Sequence, residues 1–168
     1  VRAGITMYGM YPSEEVQKDK VPLKPALGLK SFVTYVKELG PGEEISYGGT
    51  YVTERTMRIA TVAVGYGDGY PRSLSNCGYV LICGKRARIL GRVCMDQLMV
   101  DVTDIMEADV DTPVTLIGKD GDEEITMEHL AELCGGFHYE MVCDIGKRVP
   151  RVYYRGGKVV GTMDCFAE

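Results

Sequence analysis

Apolar and polar positions along this chain fall in short runs with a period near two, separated by turns rich in glycine. Leu27-Gly28-Leu29-Lys30-Ser31-Phe32-Val33-Thr34-Tyr35-Val36-Lys37 is β-branched and aromatic and stops at Gly40-Pro41-Gly42, which predicts a strand over 27–37 closed by a turn. Met57 to Tyr66 predicts a second strand, running into Gly65-Tyr66-Gly67-Asp68-Gly69. Tyr79 to Cys83 and Arg86 to Leu90 flank Gly84-Lys85 and read as a hairpin. Val93 to Val102 and Pro113 to Ile117 predict two more strands, the latter ending at a turn over 118–122. Pro150 to Tyr154 and Lys158 to Gly161 enclose Gly156-Gly157 as a last hairpin.

One segment follows the helical period instead. Met127, Leu130 and Cys134 recur on one face, Thr126 is placed to cap the first turn, and Gly135 to end the last. Ser13 before Glu14-Glu15 offers a cap for a single helical turn, and nothing there sustains a longer one. So many short strands with turn signals between them predict a mainly β fold, an antiparallel barrel or sandwich with one helix inserted. There is no internal repeat and no linker.

Composition adds bounds to that picture. At 168 residues, 45% hydrophobic and 26% charged, the chain is long enough for one domain with a real core and too apolar for disorder. No apolar run approaches the ~18 residues of a membrane span. A net charge of −5 gives no electrostatic footprint for nucleic acid. Glycine, at 21 residues, and tyrosine, at 11 against 3 Phe and no Trp, are in excess. The six cysteines contain no Cys-x-x-Cys pair, and neither His129 nor His138 stands at zinc-finger spacing from one, so no structural zinc is expected. Cys83 and Cys94 lie in apolar runs and read as buried thiols, and a reduced chain of this kind is expected in the cytoplasm. The opening Val1-Arg2-Ala3-Gly4 reads as the start of a fragment.

Familiar chemical motifs are missing. Gly65-x-Gly67-x-Gly69 follows a strand but opens onto Pro71 and Arg72 rather than a helix, so it is no dinucleotide fingerprint. Asp120, Asp122, Glu123 and Glu124 lack the spacing and central glycine of a calcium loop and read as a solvated turn. The two histidines are surface or structural, and no Ser-His-Asp arrangement can be drawn. Three segments remain: 45–51, 65–69 and 91–97. Each mixes polar side chains with glycines at a strand end, where backbone can approach a ligand closely, and each fits a turn as readily as a site.

Those three segments, with the opening Val1 to Gly9 and the late Lys147-Arg148-Val149-Pro150-Arg151, resemble in order the carboxy-terminal part of the alanine racemase family, from Val1 to about Val160. The resemblance implies a pyridoxal-phosphate enzyme built from an amino-terminal (β/α)8 barrel and a carboxy-terminal β domain. Residues 1–12 would then be the tail of the barrel and residues 13–168 the β domain. It implies a homodimer in which the β domain of one subunit covers the barrel of the other. Tyr47 matches the tyrosine that removes the α-proton of the L enantiomer, and Met95 the residue whose backbone N–H meets the substrate carboxylate. Arg2 matches the arginine facing the pyridine nitrogen, and Gly4 and Ile5 the backbone groups at the cofactor phosphate. Tyr66, Arg72 and Arg92 match residues of the narrow access corridor.

These residue types suit the implied reaction. Racemisation takes a proton from one face of Cα and returns one to the other, so two acid–base groups must stand on opposite faces. A free phenol titrates near ~10 and needs positive charge or hydrogen bonding to serve as a base at neutral pH. An arginine at the pyridine nitrogen cannot give up its proton, which weakens the cofactor as an electron sink and limits side reactions. The lysine that binds the cofactor belongs to the barrel part of the family, outside this chain, so the isolated chain is expected to be inactive. Many family members carry a tyrosine where this chain has Lys147, which opens the question of substrate breadth. The expected activity is interconversion of L- and D-alanine, with D-alanine destined for peptidoglycan. The alternatives are a serine or broad-specificity racemase of the membrane-attached vancomycin-resistance type, a decarboxylase of the same two-part architecture, and a non-catalytic β-barrel interaction module.

Overall fold

The computed structural model describes residues 1–166. β1 (Leu29–Leu39) is long enough to pair on two sides. Its first half runs antiparallel to β8 (Pro113–Asp120) and its second half to β4 (Met57–Val62), with a register shift between Val33 and Tyr35 where it changes partner. β5 (Tyr79–Ile82), β6 (Lys85–Leu90) and β7 (Leu98–Asp101) complete the circuit β1-β4-β7-β6-β5-β8, and the β1–β8 pairing closes it. Six antiparallel strands therefore form a barrel without a free edge, the arrangement that removes unpaired backbone groups most completely. β9 (Glu123–Ile125) extends β8 as a hairpin, and β10 (Arg151–Arg155) and β11 (Lys158–Met163) form a separate two-stranded ribbon.

The period-two pattern divides the apolar side chains between two clusters. Ala60 and Val62 of β4, Ala87 and Ile89 of β6, and Leu98 and Val100 of β7 point into the barrel and join the main core with Val33, Val80 and Leu116. The alternate residues Met57, Ile59 and Leu90 point outward, and a small second cluster forms there with Ile45. Leu39, Tyr51 and Met99 pack on its rim. A short hairpin of β2 (Glu44–Ile45) and β3 (Tyr51–Val52), which the apolar pattern does not reveal, roofs this outer cluster.

The expected helix forms as α1 (Met127–Cys134). Thr126 Oγ1 accepts the His129 N–H at 3.1 Å, and Gly135, at φ 63°, satisfies the last carbonyls. A second helix, α2 (His138–Asp144), corrects the expectation of one: it has seven residues and no side-chain cap at Phe137, so the chain carries no start signal for it. It holds through Met141, which is buried in the main core beside Leu130 and Ala131.

Several strand boundaries also differ from expectation. β4 stops at Val62 rather than Tyr66, and β7 begins at Leu98 rather than Val93. The residues between them leave the sheet because their backbones pair loop to loop: Cys94 and Met95 carbonyls accept the N–H groups of Tyr66 and Gly67 at 2.9 and 2.8 Å. The β5–β6 turn falls on Cys83-Gly84, both with positive φ (52° and 73°), as a tight hairpin of this hand requires. That turn carries the Cys83 thiol out to solvent, contrary to the expected burial, whereas Cys94 is buried as expected. Residues 14–20 form turns and no helix. No helix among the described residues is long and apolar enough to cross a membrane.

Candidate functional site

Ile45 anchors the end of β2 in the outer cluster, and the chain then turns away from the barrel. Ser46 sits at φ 67°, ψ 177°, a backbone region that is nearly exclusive to glycine and costs an L side chain on the order of 1–3 kcal/mol. The turn Tyr47–Gly49 follows, with Gly48 at φ 72°, and presents Tyr47 with 72% of its surface exposed. Ser46 Oγ donates to the Arg92 carbonyl at 2.7 Å and lies 3.4 Å from Cys94 Sγ.

The facing segment is as tightly placed. Gly91, at φ 74°, approaches so closely that a Cβ there would meet the Ile45 carbonyl oxygen at 2.5 Å and Ser46 Cβ at 2.7 Å. Asn76 holds it from the other side. Its Oδ1 accepts the Gly91 N–H at 2.6 Å, while its Nδ2 donates to Thr50 Oγ1 at 3.2 Å, just beyond the Tyr47 turn. Ser75 Oγ accepts the Val93 N–H at 3.0 Å and itself donates to the Arg72 carbonyl. The Arg92 guanidinium lies over Gly48, its Nη1 3.2 Å from where a Cβ would stand.

Met95 follows, 52% exposed, and the Tyr66–Asp68 turn docks on it. Gly65 must be glycine here: a Cβ would fall 2.2 Å from the Cys94 carbonyl oxygen. Asp68 Oδ2 accepts the Gly65 N–H at 2.9 Å, and Asp68 Oδ1 accepts from Arg148 Nε at 2.7 Å. Arg148 also pairs with Asp96, so one guanidinium joins the 65–69 loop, the 94–97 loop and the segment entering β10. The hydrogen bonds to Asp96 and then Asp68 raise the Arg148 pKa further above its already high value, and it stays charged at any working pH.

Tyr47, Arg92, Met95 and Tyr66 are therefore brought to one exposed patch by side-chain and backbone hydrogen bonds, with Arg72 tied in through Ser75. Lys147 is exposed and precedes Arg148 in the chain. Arg2, Gly4 and Ile5 are not part of the patch. They open the chain at a single turn (Gly4–Tyr8), where Ile5 is buried in the main core. That segment runs to β8, β9 and α1, since Tyr8 and Met10 line a cleft with Ile117, Ile125 and Met127. No hydrogen bond or ion pair among the described residues joins Arg2, Gly4 or Ile5 to Tyr47, Arg92, Met95 or Tyr66.

Ser46, Asn76, Asp68, Asp96 and Arg148 were not among the candidates read from the sequence. Arg148 lies inside a motif that was singled out, and Ser46, Asp68 and Asp96 inside the three glycine-rich segments, but only contacts between distant segments reveal what they do. Both histidines are structural: His138 Nε2 is 3.2 Å from the Tyr11 carbonyl and His129 packs against Tyr79. Asp120 accepts the Gly84 N–H at 3.0 Å, and no metal-binding cluster occurs among the described residues.

The family model for the alanine racemase C-terminal domain matches residues 26–153. Alanine racemase 1 of Clostridium acetobutylicum is 47% identical over 159 residues, which are 95% of this chain and 41% of that protein. The alanine racemase of Desulforamulus reducens is 52% identical over 153 residues, 91% of this chain and 40% of that protein. Among solved structures, alanine racemase from Bacillus anthracis with bound L-Ala-P superimposes with a TM-score of 0.88 at 44% identity, covering 95% of this chain and 41% of that one. Clostridium difficile alanine racemase in complex with cycloserine gives 0.88 at 39% identity, covering 96% and 42%. The chain thus spans about two-fifths of the length of the relatives it matches. With most of its length matched by the family model and nearly all of it by racemases of close to half identical sequence, the chain belongs to the alanine racemase C-terminal domain family.

Proposed function

We propose that this chain is the part of a pyridoxal-phosphate-dependent alanine racemase that supplies one of its two proton-transfer groups, Tyr47, and the substrate-carboxylate contact at Met95. The observation that carries this reading is the presentation of Tyr47. A large aromatic residue stands 72% exposed on a turn whose backbone is pinned to the 91–95 segment, while the ordinary fate of an unemployed tyrosine is burial or a loose surface. The Met95 backbone lies in that same segment, so the phenol and the proposed carboxylate contact keep a fixed spacing. Arg92 sets a permanent positive charge over the turn.

The fit to the cofactor is partial, as a shared site demands. Arg2 is exposed and Gly4, at φ 59°, has open space on its outer side, so the first residues leave their N–H groups and a guanidinium free to meet an anionic ring-and-phosphate group. Arg2, Gly4 and Ile5 would hold it on that side. When bound, pyridoxal phosphate withdraws electrons from the amino acid and makes its α-proton acidic. The residues of this chain then orient and exchange: Met95 holds the carboxylate, and Tyr47 Oη takes the α-proton of L-alanine or returns one when D-alanine is converted. Arg2–Ile5 share no hydrogen bond or ion pair with the Tyr47 patch among the described residues, and the family resemblance implies that the β domain of one subunit covers the barrel of the other. We therefore propose a homodimer in which each site takes Tyr47 and Met95 from one subunit and Arg2, Gly4 and Ile5 from the other. The product D-alanine fits a role in peptidoglycan synthesis.

Tyr47→Phe in the full-length protein tests the reading. Removing the phenolic oxygen is expected to lower kcat for both enantiomers by about 10²–10⁴-fold with the fold intact. Undiminished racemisation in both directions would overturn it.

A further inference from the structure

We infer that Ser46 is the positioning residue for Tyr47: it holds the phenol in register with the 91–95 segment, and it does so from a strained backbone. This inference rests on the proposed role of Tyr47 in proton transfer. At φ 67°, ψ 177°, Ser46 occupies a conformation that an L residue adopts only when the surroundings enforce it. Nothing about residues 44–49 taken alone requires a non-glycine residue there, and glycine would adopt the turn freely. A serine in that place points to its hydroxyl, and the hydroxyl has a definite task. Its 2.7 Å hydrogen bond to the Arg92 carbonyl ties the residue before Tyr47 to the residue three before Met95.

The surroundings are built for this link. Gly91 lets the two backbones approach so closely that a side chain there would strike Ile45 and Ser46. Asn76 fixes Gly91 and, at the far end of the same turn, Thr50. The Tyr47 turn is thus pinned before and after to one short segment, and that segment continues through Cys94 into Met95 and the docked Tyr66 loop. Ser46 is the only one of these links adjacent to Tyr47 itself. Displacement of a reacting group by about 1 Å is enough to cost on the order of 10²-fold in rate. Ser46 acts through Tyr47 and not on the substrate.

The test uses Ser46→Ala and Ser46→Gly in the full-length racemase, with steady-state kinetics in both directions on α-protonated and α-deuterated alanine. Ser46→Ala keeps the strain and loses the link, and Ser46→Gly relieves the strain while also losing the link. Both are expected to lower kcat by about 10- to 100-fold with less than a threefold change in KM. The decisive readout is the primary isotope effect. Slowing the tyrosine step alone should raise the effect for L-alanine, whose deuteron Tyr47 removes. It should lower the effect for D-alanine, whose deuteron is removed on the other face. Loss of active enzyme through misfolding lowers kcat and leaves both isotope effects unchanged, and because Ser46→Gly relieves the strained turn, at least one variant remains measurable. Unchanged isotope effects in both variants, alongside an inactive Tyr47→Phe, would overturn the role of Ser46 and leave that of Tyr47 standing. An active Tyr47→Phe would remove the reading on which both depend.

Discussion

Tyr47 opens one turn of the molecule and Tyr70 follows another, and the two meet opposite environments. Tyr70 is buried among the residues of the main core, and its hydroxyl finds no hydrogen-bond partner. Burial, followed by the neighbouring Cys134, Cys77 and Tyr79, pushes its pKa well above the usual phenol range, so it acts as a large apolar side chain that carries an unpaid polar atom. Tyr47 is 72% exposed, yet Ser46 and Thr50, which flank its turn, are tied through their side chains to Arg92 and Asn76. The barrel is held by area removed from water, which is insensitive to small displacements. The patch is held by directional links and by glycines that allow close approach, and these fix position at small cost in burial. Stability and placement thus reside in different atoms of the same domain.

Substitutions should separate the two. The largest effect on stability is expected from Leu116→Ala, inside the barrel on β8: deleting a fully buried leucine should cost about 2–5 kcal/mol and lower the thermal midpoint, while kcat per folded molecule stays unchanged. A loss of kcat in that variant would break the distinction. Tyr70→Phe comes next. Removing a buried hydroxyl without a partner should leave stability unchanged or raise it by about 1 kcal/mol. The same substitution sharpens the comparison at alkaline pH. Because the folded-state pKa of Tyr70 is raised, its contribution is complete below the ordinary phenol value near 10.0 and is lost as pH climbs above it. The phenylalanine variant should therefore unfold at higher pH than the wild type in a base titration followed by circular dichroism. The smallest effect on stability is expected from Arg148→Gln, since the guanidinium is solvent-accessible and its ion pairs with Asp68 and Asp96 are screened. Its consequence should be in placement: with the 65–69 and 94–97 loops uncoupled, KM for alanine should rise severalfold, and added salt should bring the wild type toward the variant.

Much of the fold was legible because it follows from pattern. The helix over 127–134, with Thr126 and Gly135 at its ends, and the hairpins at 79–90 and 151–163 need only local periodicity and turn chemistry. What escaped has a common cause. The short β2–β3 hairpin and α2 are too brief to carry a period, and they exist because Ile45 and Met141 find apolar surfaces built by strands far away in the chain. The overestimated strands at 57–66 and 93–102 fail for a related reason. Their ends are apolar enough for a sheet, but Tyr66, Gly67, Cys94 and Met95 pair with each other instead of with a neighbouring strand.

The candidate site divides in the same way. Tyr47, Met95, Tyr66 and Arg92 could be named from motifs, because glycine-rich stretches at strand ends and a family resemblance are properties of contiguous residues. The link from Ser46 to Arg92 and the bridge of Arg148 between two loops could not, because each depends on residues tens of positions apart. The sequence by itself determined the β class, the helix and its caps, and the segments that meet at the candidate site, since local backbone preference and side-chain alternation act over a few residues. Only the tertiary structure decided that the barrel closes between β1 and β8, that the glycines at 65 and 91 serve close backbone contacts, and that the Tyr47 turn is held in register with Met95. Closure and contact are settled by which surfaces exclude water together, and that is a property of the whole chain.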